Sequence, residues 1–201
     1  PNGTLTPVSS SDGDITFTAT YTPNAGVEDP TNVITLDNTG VTDAAGNAGV
    51  GTTNSGNFSI DTNALTATVT ISDASLIIGE TATVTIVFSE QVQSGSFTNG
   101  DLTIPNGTLT PVSSGDDITF TATYTPTAGV EDATNVITLD NTGVNDTSGN
   151  PGVGTTDSNN FSIDTLAPTA TVVIDDTTVT SGDTPTVTIT FSEAVRKVSN
   201  I

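Results

Sequence analysis

The sequence predicts an all-β chain of repeated antiparallel sandwich domains, and alternation and repetition are the two observations that predict it. In the stretch ITFTATYTP (residues 15–23), apolar residues alternate with threonines, which places the two sets on opposite faces of a β-strand. The same nine letters return at residues 118–126. Branched and aromatic side chains suit a half-buried strand, and Pro23 cannot donate to a ladder, so the strand should end there.

The repetition extends over most of the chain. A shift of 103 positions lays residues 26–62 on residues 129–165 with most positions identical, and a one-residue indel changes the shift to 104 before that stretch. This period is too long for a solenoid unit and fits one β-sandwich domain. The predicted domains are a partial repeat at 1–61 that lacks its first strands, a complete repeat at 62–165, and the N-terminal strands of a third, truncated repeat at 166–201.

Seven short strands are predicted in the complete repeat, each bounded by turn residues. In order, strands A to G are expected at 66–71, 82–88, 97–103, 108–112, 118–125, 135–139 and 160–164. No segment carries a persistent helical period, and seven strands in about a hundred residues are typical of an immunoglobulin-like sandwich. The residues expected to be buried are Val69, Ile71, Val84, Ile86, Phe88, Leu109, Ile118, Phe120, Ala122, Tyr124, Ile137, Leu139, Phe161 and Ile163.

The composition excludes several classes of function. The chain has no Cys or His, two cations and a formal net charge of -21. It therefore offers no disulfide framework, no structural zinc site and no thiol or imidazole catalyst. So acidic a chain is unsuited to nucleic acid or an anionic membrane, and no run is apolar enough to span a bilayer. We expect neither an enzyme nor a small-molecule substrate, because the only tyrosines, Tyr21 and Tyr124, are predicted to face inward.

A family resemblance follows from motifs that stand in a fixed order. TVTIVFSEQV, DLTIPNGTLTPV, ITFTATYTP, GVEDATNVITL, NDTSGN and NFSIDT together resemble the bacterial Ig-like repeats of giant Bap-like and RTX-type surface adhesins. The resemblance implies an extracellular extender on the bacterial cell surface, in which neighbouring repeats are each other's partners. It also implies stiffening by Ca²⁺ and a role in adhesion and biofilms, with a separate terminal domain that binds the target.

Strand direction predicts where the acidic side chains lie. Because antiparallel strands alternate in direction, the B–C and F–G loops share a pole with the incoming linker, and the E–F loop shares the opposite pole with the end of strand G. Carboxylates and one amide from two consecutive domains should therefore meet at each junction. At the first junction the predicted metal ligands are Glu28, Asp29, Asp61, Glu90, Asp146 and Asn150; at the second they are Glu131, Asp132, Asp164 and Glu193.

A bound Ca²⁺ would offset the repulsion between carboxylates that meet at a junction. Ca²⁺ takes about six to eight oxygen ligands in flexible geometry, whereas Mg²⁺ demands a tighter octahedron that suits two moving domains less well. No EF-hand loop is present, so the calcium prediction depends on position and on the resemblance. Asp43 and Asp146 also fit Asx-turns, Asp73, Asp175 and Asp176 fit turn formers better than ligands, and Asp101 fits either role.

Two alternatives to a calcium-stiffened spacer remain. One is a module whose loops bind a carbohydrate or a host protein, although exposed aromatics for a sugar are lacking and near-identical copies favour spacing over recognition. The other is a fibre subunit, in which strands A and B of residues 166–201 complete residues 1–61 of another copy; a segment of a longer chain is the simpler explanation of the incomplete ends. The tail RKVSNI (196–201) contains both cations and departs from the repeat, and no feature of the sequence explains this difference.

Overall fold

The computed structural model describes residues 2–196, and β-strands form nearly all of its regular structure. Pro1 and residues 197–201, which include most of the divergent tail, lie outside the described residues. The first unit (residues 2–61) contains β1 (Gly3–Leu5), β2 (Ser9–Ser10), β3 (Phe17–Thr18), β4 (Tyr21–Pro23), β5 (Glu28–Asn32), β6 (Thr35–Asp37), β7 (Thr52–Asn54) and β8 (Phe58–Asp61).

The middle unit (residues 62–165) and the last unit (residues 166–196) continue the series. The middle unit contains β9 (Ala67–Ile71), β10 (Ser75–Ile77), β11 (Ala82–Phe88), β12 (Leu102–Thr103), β13 (Gly107–Leu109), β14 (Ser113–Ser114), β15 (Thr119–Pro126), β16 (Glu131–Asn135), β17 (Thr138–Asp140), β18 (Thr155–Asp157) and β19 (Phe161–Asp164). The last unit contains β20 (Ala170–Ile174) and β21 (Val187–Phe191). Three short 3-10 helices are η1 (Asn38–Gly40), η2 (Asn99–Asp101) and η3 (Asn141–Gly143).

One sheet of the middle unit has the order β13-β15-β11-β9, with β14 also paired to β15. All of these pairings are antiparallel, and β11 lies between its two long neighbours. In this register Ile86 of β11 stands opposite Phe120 on one side and Val69 on the other. Since paired residues point to the same face, the alternating apolar residues form one continuous inner surface.

The opposing layer consists of the pairings β12-β17-β18 and β10-β19-β16. Here β10 runs parallel to β19, with Leu76 opposite Ile163. The first strand of the unit thus divides, with β9 in one sheet and β10 in the other, and Asp73 stabilises the crossover by accepting a hydrogen bond from the Ser75 amide at 2.9 Å. The two layers form the predicted immunoglobulin-like sandwich.

The core lies between these layers and contains the residues that the alternation predicts. All of the predicted set are buried except Leu109 and Ile118, which are half-buried near the sheet edge. Phe97 packs edge-on against Phe88 and Phe120, with ring centroids 5.1 and 5.0 Å apart. Alternation did not predict the burial of Leu65, Leu76, Val92, Phe97, Leu102 and Val144.

Three predicted strands are wrong in extent, and the first of them is strand D, predicted at 108–112 and observed only as β13. The predicted strand C at 97–103 is reduced to β12, because Thr98 caps η2 and exchanges hydrogen bonds with Asp101, whose Oδ2 accepts from the Thr98 amide at 2.8 Å. Predicted strand F at 135–139 divides into β16 and β17, since the pairing of β16 with β19 shifts register between Asp132 and Asn135. Among the described residues, no helix has the length and apolar character needed to cross a membrane.

Candidate metal centre at the first junction

Three carboxylates from two units meet where the first unit joins the middle unit. Asp61 is the last residue of β8, Glu90 follows β11, and Asp146 lies in the loop after η3. One carboxylate oxygen from each lies within 4.8 Å of the other two. We call these three residues the junction cluster, and all three were predicted from strand direction.

Backbone pairing holds the two loops of the middle unit in place. Val92 forms an isolated antiparallel bridge with Asp146, and the Thr147 amide donates to the Gln91 carbonyl at 3.1 Å. On the other side of the junction, Asp61 stands opposite Glu28 in the pairing of β8 with β5. The three residues of the cluster therefore lie at a strand end or in paired loops. These elements fix the backbone position of each residue.

Asp146 is fully buried and organises its own loop. Its Oδ1 accepts from the amides of Ser148 and Asn150 at 2.8 Å each, and its Oδ2 accepts from Asn150 Nδ2 at 2.8 Å. This geometry confirms the Asx-turn interpretation. A carboxylate offers about four acceptor positions, so three donors leave Asp146 capacity for a further partner in the cluster.

Asn150 links the two units directly. Besides its bond to Asp146, its Nδ2 donates to the backbone carbonyl of Asp61 at 3.3 Å. A metal would instead require the amide oxygen, so the structure places Asn150 as a hydrogen-bond donor at the junction.

Burial raises the pKa of Glu90, and the negative charges of Asp61, Asp146 and Glu28 raise it further. Glu28 itself is exposed and contributes through its charge. Residues 1–195 contain no lysine or arginine. The cluster thus carries negative charge that no protein cation in that part of the chain neutralises.

Asp29 and its repeat counterpart Asp132 are engaged within their own units. The Asp29 carboxylate accepts from Asn2 Nδ2 at 2.8 Å and from the Thr31 amide at 2.9 Å. Asp132 accepts equivalent bonds from Asn106 and from the Thr134 amide, at 2.9 and 3.0 Å. The structure does not bring either residue into the junction cluster.

The second junction, between the middle and last units, has a different composition. Glu131 stands opposite Asp164 in the pairing of β16 with β19. Asp164 and Glu193 line one cleft, and Arg196 lines it with them. Among the described residues, Glu193 Oε1 is shielded from solvent without a hydrogen-bond partner. The second junction therefore differs from the first in having an arginine among the residues that line its cleft.

The remaining acidic candidates act in turns and caps. Asp43 repeats the Asp146 geometry on an exposed loop, accepting from the amides of Ala45 and Asn47 at 2.9 and 2.8 Å. The Asn47 side chain also donates to this carboxylate and has the largest effect on its pKa. Together with the two amides it lowers the pKa of Asp43. Asp73 and Asp176 accept from the amides of Ser75 and Thr178, two residues further on, which confirms the turn interpretation for both. Asp175 instead accepts from the Thr186 amide across the β20–β21 hairpin, and Asp101 caps η2.

A family model described as a bacterial Ig-like domain matches the chain in three consecutive stretches, residues 1–60, 61–163 and 164–201. The curated proteins and the solved structures compared with the chain include no match. The three matches cover the whole length, and the sandwich of the middle unit has the fold that the family description names.

Proposed function

Because the chain belongs to the bacterial Ig-like domain family, we propose that it is an extender of a bacterial surface adhesin whose consecutive domains are fixed by Ca²⁺ at the junction cluster. Domains of this family are generally non-catalytic structural modules and are typically extracellular. The observation that carries the proposal is the meeting of Asp61 with Glu90 and Asp146 across a domain boundary.

The spacing of the carboxylates suits a calcium ion. Two oxygens that each bind one Ca²⁺ at about 2.4 Å lie at most about 4.8 Å apart, and the three oxygens of the cluster lie within 4.8 Å of one another. The chain has no Cys or His, so a zinc site would lack the ligands that Zn²⁺ favours.

Charge neutralisation gives the ion its mechanical effect. Two unit charges about 5 Å apart repel by roughly 3 kcal/mol at an effective dielectric near 20, before screening by salt. Without the ion this repulsion favours separation of Asp61 from Glu90 and Asp146, and the units can swivel. With the ion bound, the same carboxylates become shared ligands, and the angle between the units is set.

Calcium titration of the chain by calorimetry tests the proposal. Wild type should bind Ca²⁺ with a dissociation constant of about 10⁻⁴ to 10⁻³ M, the range of extracellular modules. Glu90→Gln should weaken binding at least tenfold, since it removes one cluster charge. Asp73→Asn is the matched control, because it also removes one charge, keeps an Asx-turn acceptor and lies in the β9–β10 crossover, outside the cluster.

Small-angle scattering of the same proteins measures the mechanical effect. Calcium should narrow the distribution of overall dimensions for wild type and Asp73→Asn and leave Glu90→Gln unchanged. A wild-type chain that binds no calcium at about 10 mM, well above the weak end of that range, would refute calcium as the fixing ion. Binding without any change in scattering would refute the stiffening.

A further inference from the structure

Two asparagine side chains of the middle unit bond to the backbone at the outer edges of one sheet. Asn159 Oδ1 accepts from the Ile71 amide at 3.0 Å, and its Nδ2 donates to the Ile71 carbonyl at 3.3 Å. Asn99 Oδ1 accepts from the Val112 amide at 2.8 Å, and its Nδ2 donates to the Thr110 carbonyl at 3.0 Å. Each side-chain amide thus satisfies one backbone donor and one backbone acceptor.

The backbone groups of Ile71 lie on the free side of β9. In the sheet order β13-β15-β11-β9, β9 is an outer strand. The Ser72 amide donates to the Thr83 carbonyl, and hydrogen-bonded pairs alternate with non-bonded pairs along an antiparallel ladder. Ile71 and its partner Val84 form the next pair, so the Ile71 amide and carbonyl point away from β11. Asn159 fills the rung that a residue of an antiparallel neighbour would otherwise fill.

The opposite edge of the sheet is interrupted, and Asn99 lies at the interruption. Both β13 and β14 pair with β15, and residues 110–112 separate them. The Thr123 amide of β15 donates to Thr110 Oγ1 at 2.9 Å, which leaves the Thr110 carbonyl for Asn99. A residue of a parallel strand bonds to the carbonyl of one residue and to the amide two positions further on. Asn99 makes the same pair of bonds with Thr110 and Val112.

The strands at these edges have a composition that favours pairing between copies of the chain. TATVTI (66–71) and TVTIVF (83–88) are rich in branched residues, carry no charge and contain neither Pro nor Gly. Segments of this kind form intermolecular sheets when an edge offers unpaired backbone groups. The acidic residues of the middle unit lie outside all strands of this sheet. No charge on these strands opposes such pairing, so the edges need another form of closure.

We propose that Asn159 and Asn99 are edge caps, which keep this sheet from pairing with the same sheet of a second copy of the chain. Asn159 lies in the connection between β18 and β19 of the opposing layer, and Asn99 lies in η2. Each cap supplies an oxygen and an amino group where another strand would supply its backbone. An approaching strand must displace both bonds of a cap before it can pair. Closed edges let many similar repeats follow one another in a chain without exchanging strands.

Amide hydrogen exchange, measured by NMR, tests the caps directly. The Ile71 and Val112 amides should exchange slowly in wild type, because a side-chain oxygen accepts from each. Asn159→Ala should speed exchange at Ile71 about tenfold and leave Val112 unchanged, and Asn99→Ala should do the reverse. Equal acceleration of both amides in each variant would indicate general destabilisation and would overturn the role of each cap at its own edge.

Sedimentation velocity in EDTA, where calcium binding does not contribute, tests the association that the caps prevent. The mean mass of Asn159→Ala should rise with concentration beyond that of wild type and level off at twice the wild-type mass, because one open edge pairs with itself about a two-fold axis. The double variant Asn99→Ala/Asn159→Ala opens both edges and should form larger assemblies.

Asn141→Ala is the matched control. It removes the bonds from Asn141 Nδ2 to the Val153 carbonyl and the Thr156 hydroxyl, beside η3, and opens neither edge of this sheet. This variant should sediment like wild type although it loses as many hydrogen bonds as Asn159→Ala. A double variant that sediments like wild type at all soluble concentrations would overturn the proposal, as would an Asn141→Ala chain that associates as strongly as the double variant.

Discussion

The stretches at residues 15–23 and 118–126 have the same nine letters and different structures. In the middle unit the stretch is one continuous strand with Phe120 in the core, and in the first unit it is two short strands with Phe17 exposed. The difference follows from the neighbours, since β11 pairs with β15 and no described strand takes that place beside β3 and β4. Alternation thus sets which face is apolar, and partner strands decide whether that face is buried.

Alanine at the two phenylalanines gives the largest expected contrast. Phe120 packs against Phe88 and Phe97, so Phe120→Ala should lower the free energy of unfolding of the middle unit by about 3 to 5 kcal/mol. Phe17→Ala should change the free energy of unfolding of the first unit by less than about 0.5 kcal/mol. Urea unfolding at dilute concentration measures both. Similar losses at the two positions would show that the first unit has a core of its own in solution.

Glu90 and Glu193 lie at the two junctions, and their glutamine variants should differ in how much calcium stabilises the chain. At a calcium concentration about 100 times the dissociation constant, binding should stabilise wild type by about 2.7 kcal/mol, and Glu90→Gln should abolish that gain. Glu193→Gln, at the junction that Arg196 lines, should keep it. Thermal melts of the three proteins with calcium and with EDTA measure the difference. An equal loss in both variants would contradict a specific role for the first junction.

Glu90 also predicts a pH dependence with a definite sign. Since its pKa is raised in the folded chain, the folded state holds the proton more tightly than the unfolded state. In EDTA this residue's contribution to stability is therefore fully present below its ordinary pKa and is lost as pH rises through the raised value. Glu90→Gln in EDTA at neutral pH should be more stable than wild type by up to about 1 kcal/mol, opposite in sign to its effect in calcium.

Gly3 and Gly107 lie against the rings of Tyr21 and Tyr124, and alanine at these two glycines should give a smaller difference between the units. A Cβ on Gly107 would meet the ring of Tyr124, which is fully buried and whose hydroxyl donates to the Pro105 carbonyl at 2.8 Å. Because that ring is fixed, Gly107→Ala should destabilise the middle unit by about 1 to 3 kcal/mol. Gly3→Ala should leave the unfolding transition of the middle unit unchanged. A middle unit unaffected by Gly107→Ala would show that the Tyr124 ring can move.

The smallest contrast is expected at two aspartates that act locally. Hydrogen bonds from Thr16, Ser10 and Ile15 lower the pKa of Asp12 to about 2, and bonds from Thr119, Ile118 and Ser114 lower that of Asp116. Both turns should therefore be intact above the ordinary pKa and open as pH falls through the lowered values. Carboxyl NMR titration should give depressed pKa values in both units. An ordinary pKa at Asp12 alone would mean that this turn also depends on the core.

Strand pattern made much of the middle unit predictable. The alternation in TVTIVF and TFTATY placed Val84, Ile86, Phe120 and Tyr124 in the core correctly. The strands β10, β14 and β18 were not predicted, because each is short and lacks clear alternation, and β16 was predicted only at its last residue, Asn135. Leu76 and Phe97 are buried by contacts with distant elements, and no local pattern signals such contacts.

The junction cluster was predictable from strand direction, and the error at Asp29 has a simple cause. Glu28 and Asp29 are adjacent in β5, so their side chains point to opposite faces. Glu28 stands opposite Asp61, whereas Asp29 stands opposite Ile60 and binds Asn2. Strand periodicity could have separated the two residues from the sequence. The donor role of Asn150 could not be predicted, because it depends on side-chain rotamers.

The parallel pairing of β10 with β19 matters when the chain is pulled from its ends. Force enters the middle unit before β9, where Leu65 is anchored in the core, and leaves after β19. Because β10 and β19 lie side by side and run in the same direction, tension slides one along the other. Their hydrogen bonds must then rupture together, unlike those of a hairpin that opens one rung at a time. Resistance to stretching is thus built into the strand order, independently of any bound ion.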